Sequence, residues 1–496
     1  MGLLSAIIFL PVIGAIIIAL VPRLPERAVK WLAAIFSFIT LVLAILLFFK
    51  FDRSAGMIGV MQFGGNPLSW IPAINSFYHV GVDGISLPLV LLMAVLGFLV
   101  VLISWKVHLR VKEYFIWLLL LETSILGVFT SLDLLLFFLF WEIEIVPMYF
   151  LISIWGTGRR SYSAMKYVIF TLVGSAFMLA GILALYFTSN PHSLDMMEIA
   201  KNISFASGAI PLTAIFFFLI IGFAVKLPVF PLHTWLPDAH TDAPTGVSVV
   251  LAGALLKMGG YGMIRVVSIF PEVARTWSPL FVILAVIGIL YGAAVTLRQT
   301  DLKRMIAYSS VSHMGYVLLG IFALSQVSMV GASLQMFSHG IVTGLLFAMA
   351  GLVMHNAEER DLRKLGGLAN QVPLIAIVFS LAGLASLGLP LTSGFAAEFL
   401  VFVGSFSSAI VPHIQIYTLL SAIGVVLAAG YILWMIQRVF FGPALEKFKA
   451  VKDADRLEMV YMTVLVGLIL WIGIYPSILT DIFNMGVTPI ARLFVP

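Results

Sequence analysis

The sequence predicts an all-α polytopic membrane protein of about 14 transmembrane helices, with helices 7 and 12 broken and two inverted five-helix repeats. Three observations carry that expectation. The 496 residues are 61% hydrophobic and only 10% charged, against roughly 25% charged in a soluble chain. Apolar runs close to the ~20 residues that a bilayer core requires recur along the whole length. In one run a lysine and two prolines follow one another, a combination that a lipid-facing helix does not carry.

The first run follows Met1-Gly2 without a basic segment, extends to about Val21 and has no small-residue cleavage site. It reads as a membrane helix rather than a removed signal peptide. The next runs place helices near 30–49, 84–105, 114–131, 133–155 and 163–187. Helix 7 spans about 210–236 and helix 8 about 244–268. Runs near 277–297, 302–323, 328–355, 373–404, 414–441 and 459–482 complete the set. Pro228 and Pro231 break helix 7 and Pro390 breaks helix 12, because each proline removes a helical hydrogen bond and clashes with the preceding turn. The connection 51–82 contains Gly64-Gly65-Asn66-Pro67 and is expected to be an ordered surface loop.

Numbered from the first, the odd connections hold 20 of the 28 lysines and arginines. By the positive-inside rule those connections are cytoplasmic and both termini lie on the non-cytoplasmic side. A faint repeat supports the same layout. Gly174-x-x-Phe177-x-x-x-Gly181 recurs as Gly344-x-x-Phe347-x-x-x-Gly351, Met148-Tyr149 matches Gly315-Tyr316 in spacing, and Leu227-Pro228 matches Leu389-Pro390. A unit of five helices is odd in number, so its second copy inserts inverted, and inverted repeats with paired broken helices place a working site near the midplane. The expected divisions are 1–113 (helices 1–3), 114–270 (first repeat), 271–441 (second repeat) and 442–496 (cytoplasmic loop and helix 14).

Ionisable residues stand alone within the apolar runs: Glu122, Glu142, Glu144, Lys226, Lys257, His313, His339 and Glu398. Such residues usually face a bundle interior and mark ion or proton pathways. A glutamate–lysine pair that forms and breaks switches protonation state, and histidine passes protons near neutral pH. There is no cysteine, which excludes disulfides and thiolate chemistry. Neither a phosphate-binding loop nor a dinucleotide fingerprint is present. The basic residues are dispersed rather than gathered into a nucleic-acid patch. Any pumping must then draw on an ion gradient or on partner subunits.

At these residues the chain resembles a known family. Phe140-Trp141-Glu142 with Pro147-Met148-Tyr149 and Trp155-Gly156 resembles helix 5 of the antiporter-like subunits of respiratory complex I. Lys226-x-Pro228-x-x-Pro231-Leu232-His233-x-Trp235-Leu236-Pro237-x-Ala239-His240 is similar to that family's broken helix 7. Ala243-Pro244 to Lys257-x-Gly259-x-Tyr261-Gly262 looks like its helix 8, and Ala307-Tyr308-Ser309-Ser310-x-x-His313-Met314-Gly315 like its helix 10. Pro390-Leu391-x-x-Gly394-Phe395-x-x-Glu398-Phe399 resembles its broken helix 12. Glu398, the Trp-Glu…Pro-Met-Tyr wording of helix 5 and the short stretch after helix 14 favour the M-type, or chain 4, branch.

The resemblance implies a proton-translocating subunit of a complex I-type NADH:quinone oxidoreductase, lying in an energy-coupling inner membrane beside other membrane-arm subunits. It implies Glu142 and Lys226 as the input pair, Lys257 as the central lysine, His313 and His339 as the link, Glu398 as the exit and Glu122 as a further carboxylate. No cofactor is expected in this chain; NADH or ferredoxin, flavin, iron–sulfur clusters and quinone would belong to partner subunits. A subunit of a multisubunit cation/proton antiporter and the membrane arm of an energy-converting hydrogenase are the alternatives. Glu144 departs from the motif. It lies two residues from Glu142, about 200° around a helix, and is expected to face a different neighbour from Lys226.

Overall fold

The computed structural model describes residues 2–202 and 210–494. Its helices begin with α1 (Leu3–Leu20) and α2 (Glu26–Lys50), followed after a hairpin by α3 (Ser86–Ile103) and α4 (Val111–Thr130). The predicted fifth helix is divided at Glu144 into α5 (Leu134–Ile143) and α6 (Ile145–Trp155), and α7 (Arg160–Thr188) follows. The broken passage is α8 (Leu212–Lys226) and α9 (Trp235–Asp242). Then come α10 (Thr245–Ile269), α11 (Pro271–Thr296), α12 (Leu302–Phe322) and α13 (Gln326–Ala357). The second broken passage is α14 (Pro373–Ser386) and α15 (Ser393–Phe406). The chain closes with α16 (Ile414–Phe440), α17 (Arg456–Ile474) and α18 (Ser477–Ala491).

Among the described residues, 12 helices are long and apolar enough to cross a membrane, counting α5 and α6 as one. The two broken passages are built from shorter apolar helices. The span windows of α10 and α13 are 100% buried and that of α12 94%, against 33% for α2 and α17. The helices bearing Lys257, His313 and His339 therefore form the interior, and α1, α2, α16 and α17 carry many of the lipid-facing residues.

Each break is satisfied locally, as non-helical backbone at membrane depth must be. After Lys226 the amide of Val229 reaches Ala224 O at 2.9 Å rather than its own helical acceptor. Val225 O, left free, accepts the Trp235 indole N–H at 2.8 Å. At the second break Leu389 N donates to Leu384 O and Thr392 N to Leu389 O, and Gly388 takes the left-handed φ of 83°. Gly259 of α10 lies where a Cβ would stand 2.6 Å from Leu227 N, so only glycine lets α10 approach the end of α8 this closely.

The connection 51–82 is ordered, as expected. It folds a short helix, Arg53–Met57, and an antiparallel hairpin of β1 (Leu68–Ile71) and β2 (Ser76–Tyr78). We call this end of the bundle the hairpin side. His79 ties it to the loop after α7 through Asp195, Nδ1 to Oδ2 2.5 Å. Burial pushes the Asp195 carboxyl up, but His79 and the amides of Glu198 and Met197 outweigh it and hold the carboxyl below its usual range. A depressed carboxylate stabilises above its unfolded pKa, about 3.9, and loses that contribution as pH falls through the folded value. Amide exchange at residues 76–80, corrected for intrinsic rates, is expected to show unchanged protection from pH 7 to 5 and loss of protection only below about pH 4.

The end of the chain differs from the expectation. A single helix over 459–482 is replaced by α17, a stop at Tyr475-Pro476, and α18. Pro476 cannot donate to a continuing ladder. Helix α18 is amphipathic, burying Ile482, Phe483, Gly486 and Val487 while Asp481 and Asn484 are exposed. It lies on the hairpin side, where Gly84 and Gly486 allow backbone contact between the start of α3 and α18.

Candidate functional site

The first polar cluster forms where α5 gives way to α6. Glu144 sits at the interruption, fully buried. Its carboxylate pairs with the ammonium of Lys226, the last residue of α8. Tyr167 of α7 donates its hydroxyl to Glu144 Oε2 at 2.6 Å and accepts from Lys226 Nζ at 3.0 Å. The ammonium also lies 5.3 Å from the Trp141 ring and 5.1 Å from the Tyr167 ring. Every group of this triad is 1% exposed or less. Removing one partner of such a pair typically costs about 3–5 kcal/mol, because the other charge is left buried alone.

This corrects the expected pairing. Glu142 forms no ion pair with Lys226 within 4 Å; it is half-buried beside Ser175 of α7, near enough for its charge to act on Lys226. The residue that pairs directly with Lys226 is Glu144. Helix 5 is interrupted at Glu144, and this turns that side chain toward the gap between α7 and the end of α8.

The second cluster is on α10. Residues 251–255 form a π-helical turn, a local widening often found at functional sites. Two residues beyond it, Lys257 is fully buried, donates to Ala252 O and lies 2.8 Å from His339 Nδ1. With Nδ1 accepting from the ammonium, a neutral His339 carries its proton on Nε2, which has no protein partner.

The third cluster follows from the second. The rings of His339 and His313 are 5.8 Å apart between centroids. His313 Nδ1 lies 3.1 Å from Glu398 Oε1, and its Nε2 lies 3.1 Å from Ser386 Oγ and 3.4 Å from Tyr431 Oη. Gln335 donates to the same Glu398 oxygen at 3.4 Å. A small polar cavity lies among His313, Gln335, Ser338, His339, Ser386 and Glu398. Ser386 ends α14 and Glu398 sits on α15, so the second break positions both groups around His313.

Lys257, His339, His313 and Glu398 thus form a series in which each member can hold and release a proton. The Glu144–Tyr167–Lys226 triad adjoins it through backbone contact of Gly259 with Leu227. Glu122 is not brought to either group. It accepts from Ser37 Oγ of α2 at 2.7 Å and packs against Gly97 of α3.

Comparison with known proteins gives the family and the fold. The transmembrane family described as NADH:quinone oxidoreductase/Mrp antiporter matches residues 131–424. That segment is more than half of the chain and contains Glu144, Tyr167, Lys226, Lys257, His313, His339 and Glu398. The chain belongs to this family. It is 39% identical over 512 residues to NADH-quinone oxidoreductase subunit M of Rhodobacter capsulatus, covering 99% of this chain and 96% of that one. It is 40% identical over 493 residues to NAD(P)H-quinone oxidoreductase chain 4 1 of Synechococcus elongatus, covering 98% and 91%. A chain of respiratory complex I from Thermus thermophilus with bound NADH superposes with a TM-score of 0.89 at 27% identity, over 100% of both chains. As a member of the oxidoreductase/antiporter family, the chain is a multi-pass membrane protein with the fold of a complex I membrane-arm subunit.

Several groups in and around these clusters were not visible in the sequence. Tyr167, Ser386, Gln335 and Tyr431 are ordinary residues in apolar helices. His240 is stacked on Phe347 at 4.7 Å with both ring nitrogens buried and unpartnered. Lys303, which reads as a loop charge, is 2% exposed and donates to Ala243 O at 2.8 Å. Their only sequence signal was position: His240 closes the broken-helix motif, and Lys303 opens a helix.

Proposed function

We propose that this chain translocates protons in the membrane arm of a complex I-type quinone oxidoreductase, by a Glu/Lys/His relay driven from other subunits. One observation carries the reading: Lys257, His339, His313 and Glu398 follow one another at contact distance, buried, on the interior helices α10, α13, α12 and α15. Lys226 modulates the proton held by Glu144 at the input, Lys257 receives it at the centre, and Glu398 releases it at the far end. The cofactors named by relatives, together with flavin and iron–sulfur clusters, are assigned to partner subunits. The membrane is the energy-coupling inner membrane of a bacterium or organelle, with the hairpin side outward. A cation/proton antiporter without redox partners would use the same relay. Co-purification of iron–sulfur subunits distinguishes the two.

The test is made on the exit. In assembled complex, Glu398→Gln keeps a hydrogen bond to His313 but removes the exchangeable carboxyl, and it is expected to cut proton translocation coupled to quinone reduction about 100-fold or more, the lower edge for losing a proton-transferring group. Glu398→Lys restores an exchangeable proton and is expected to retain more. If glutamine serves as well as glutamate, Glu398 is only a hydrogen-bonding residue.

A further inference from the structure

The relay leaves one aligned set of polar groups unused. Lys257, Tyr261 and Arg265 stand four residues apart on α10, along one side of the helix, rising about 6 Å per step toward the hairpin side. Tyr261 is fully buried, and its hydroxyl faces the Arg265 guanidinium. The Arg265 guanidinium lies 4.8 Å from the Tyr261 ring centroid. Its Nη1 donates to Asp83 Oδ2 at 2.7 Å, and the guanidinium also faces the Tyr261 hydroxyl, so its charge is held between an acid and a phenol. The other Asp83 oxygen accepts the amides of Ile85 and Ser86 at the start of α3, which fixes the carboxylate opposite the guanidinium.

This column leads from the central lysine toward the hairpin side, in a different direction from the lateral series through Glu398. Its last member differs chemically from every member of the lateral series. Lysine, histidine and glutamate exchange protons, whereas arginine does not deprotonate in proteins. A fixed buried cation also raises the potential that an arriving proton must overcome, as arginine does in pores that exclude protons. Asp83 offsets that charge, but its oxygens are engaged by Arg265 and by two backbone amides, so the pair offers an arriving proton no free acceptor.

We propose that Arg265, which cannot release a proton, is a plug that closes the direct exit above Lys257 and so commits protons to His339, His313 and Glu398. Asp83 positions the plug, and Tyr261 fills the space between it and the lysine. The inference rests on the proton-transfer reading above.

The experiment uses the whole complex, reconstituted in vesicles. Two quantities are read: protons translocated per quinone reduced, and passive decay of an imposed pH gradient without turnover. Arg265→Gln is expected to keep quinone reduction while the proton ratio falls at least twofold and the gradient decays faster. Arg265→His, which releases protons, is expected to leak as well. Asp83→Asn leaves the cation in place and is expected to hold the gradient as the native complex does. A merely structural ion pair would instead make Asp83→Asn and Arg265→Gln equally harmful without a leak. Native ratio and native gradient decay in whichever arginine variant assembles would overturn the plug. Absence of proton movement in the native complex would instead count against the relay itself.

Discussion

Glu144→Gln is expected to remove most of the proton pumping coupled to quinone reduction, and Glu142→Gln to leave the larger share. Glutamine preserves the size of Glu144 and an acceptor for Tyr167, so the variant isolates the loss of the exchangeable proton and of the partner for Lys226. Lys226 would then be a buried cation facing only a tyrosine and two rings, the situation that costs about 3–5 kcal/mol. Losing a group that transfers a proton typically costs a further 10²–10⁴ in rate. Lys226→Ala is expected to give a comparable loss from the other side of the pair. Its assembly is expected to survive, since removing a charge does not hinder membrane insertion. Proton uptake and quinone reductase rates in assembled complexes check both variants. A more damaging Glu142→Gln would return the input to the residue that the helix 5 motif selects.

The two breaks were legible because proline states its own consequence, and Lys226-x-Pro228-x-x-Pro231 leaves no continuous helix to be drawn. What repairs the first break, the Trp235 indole on Val225 O, was not legible, because it depends on where α9 returns. The choice between Glu142 and Glu144 failed for a related reason. Spacing showed that they diverge by about 200°, but not which one turns inward. That is decided by the interruption at Glu144 and by Tyr167, on a helix 23 residues away in sequence. The single helix drawn over 459–482 failed because apolar content continues through Tyr475-Pro476 while its periodicity changes. The central series was read more fully. Lys257, His313, His339 and Glu398 are each isolated in apolar sequence, and an isolated ionisable residue at membrane depth has few places to go except toward another.

Lys257 holds the centre of the account. It is the one exchangeable group of α10 that touches the histidine series, through His339 Nδ1 at 2.8 Å, and it lies beside the end of α8, where Gly259 meets Leu227. Lys257→Met keeps an unbranched side chain of similar reach and removes every exchangeable proton at the join. His339 then has no donor on Nδ1, and a proton loaded at Glu144 has no carrier across α10. The decisive measurement is the number of protons translocated per quinone reduced by the assembled Lys257→Met complex. The account predicts a ratio clearly below native. A native ratio at a native rate of quinone reduction would contradict it.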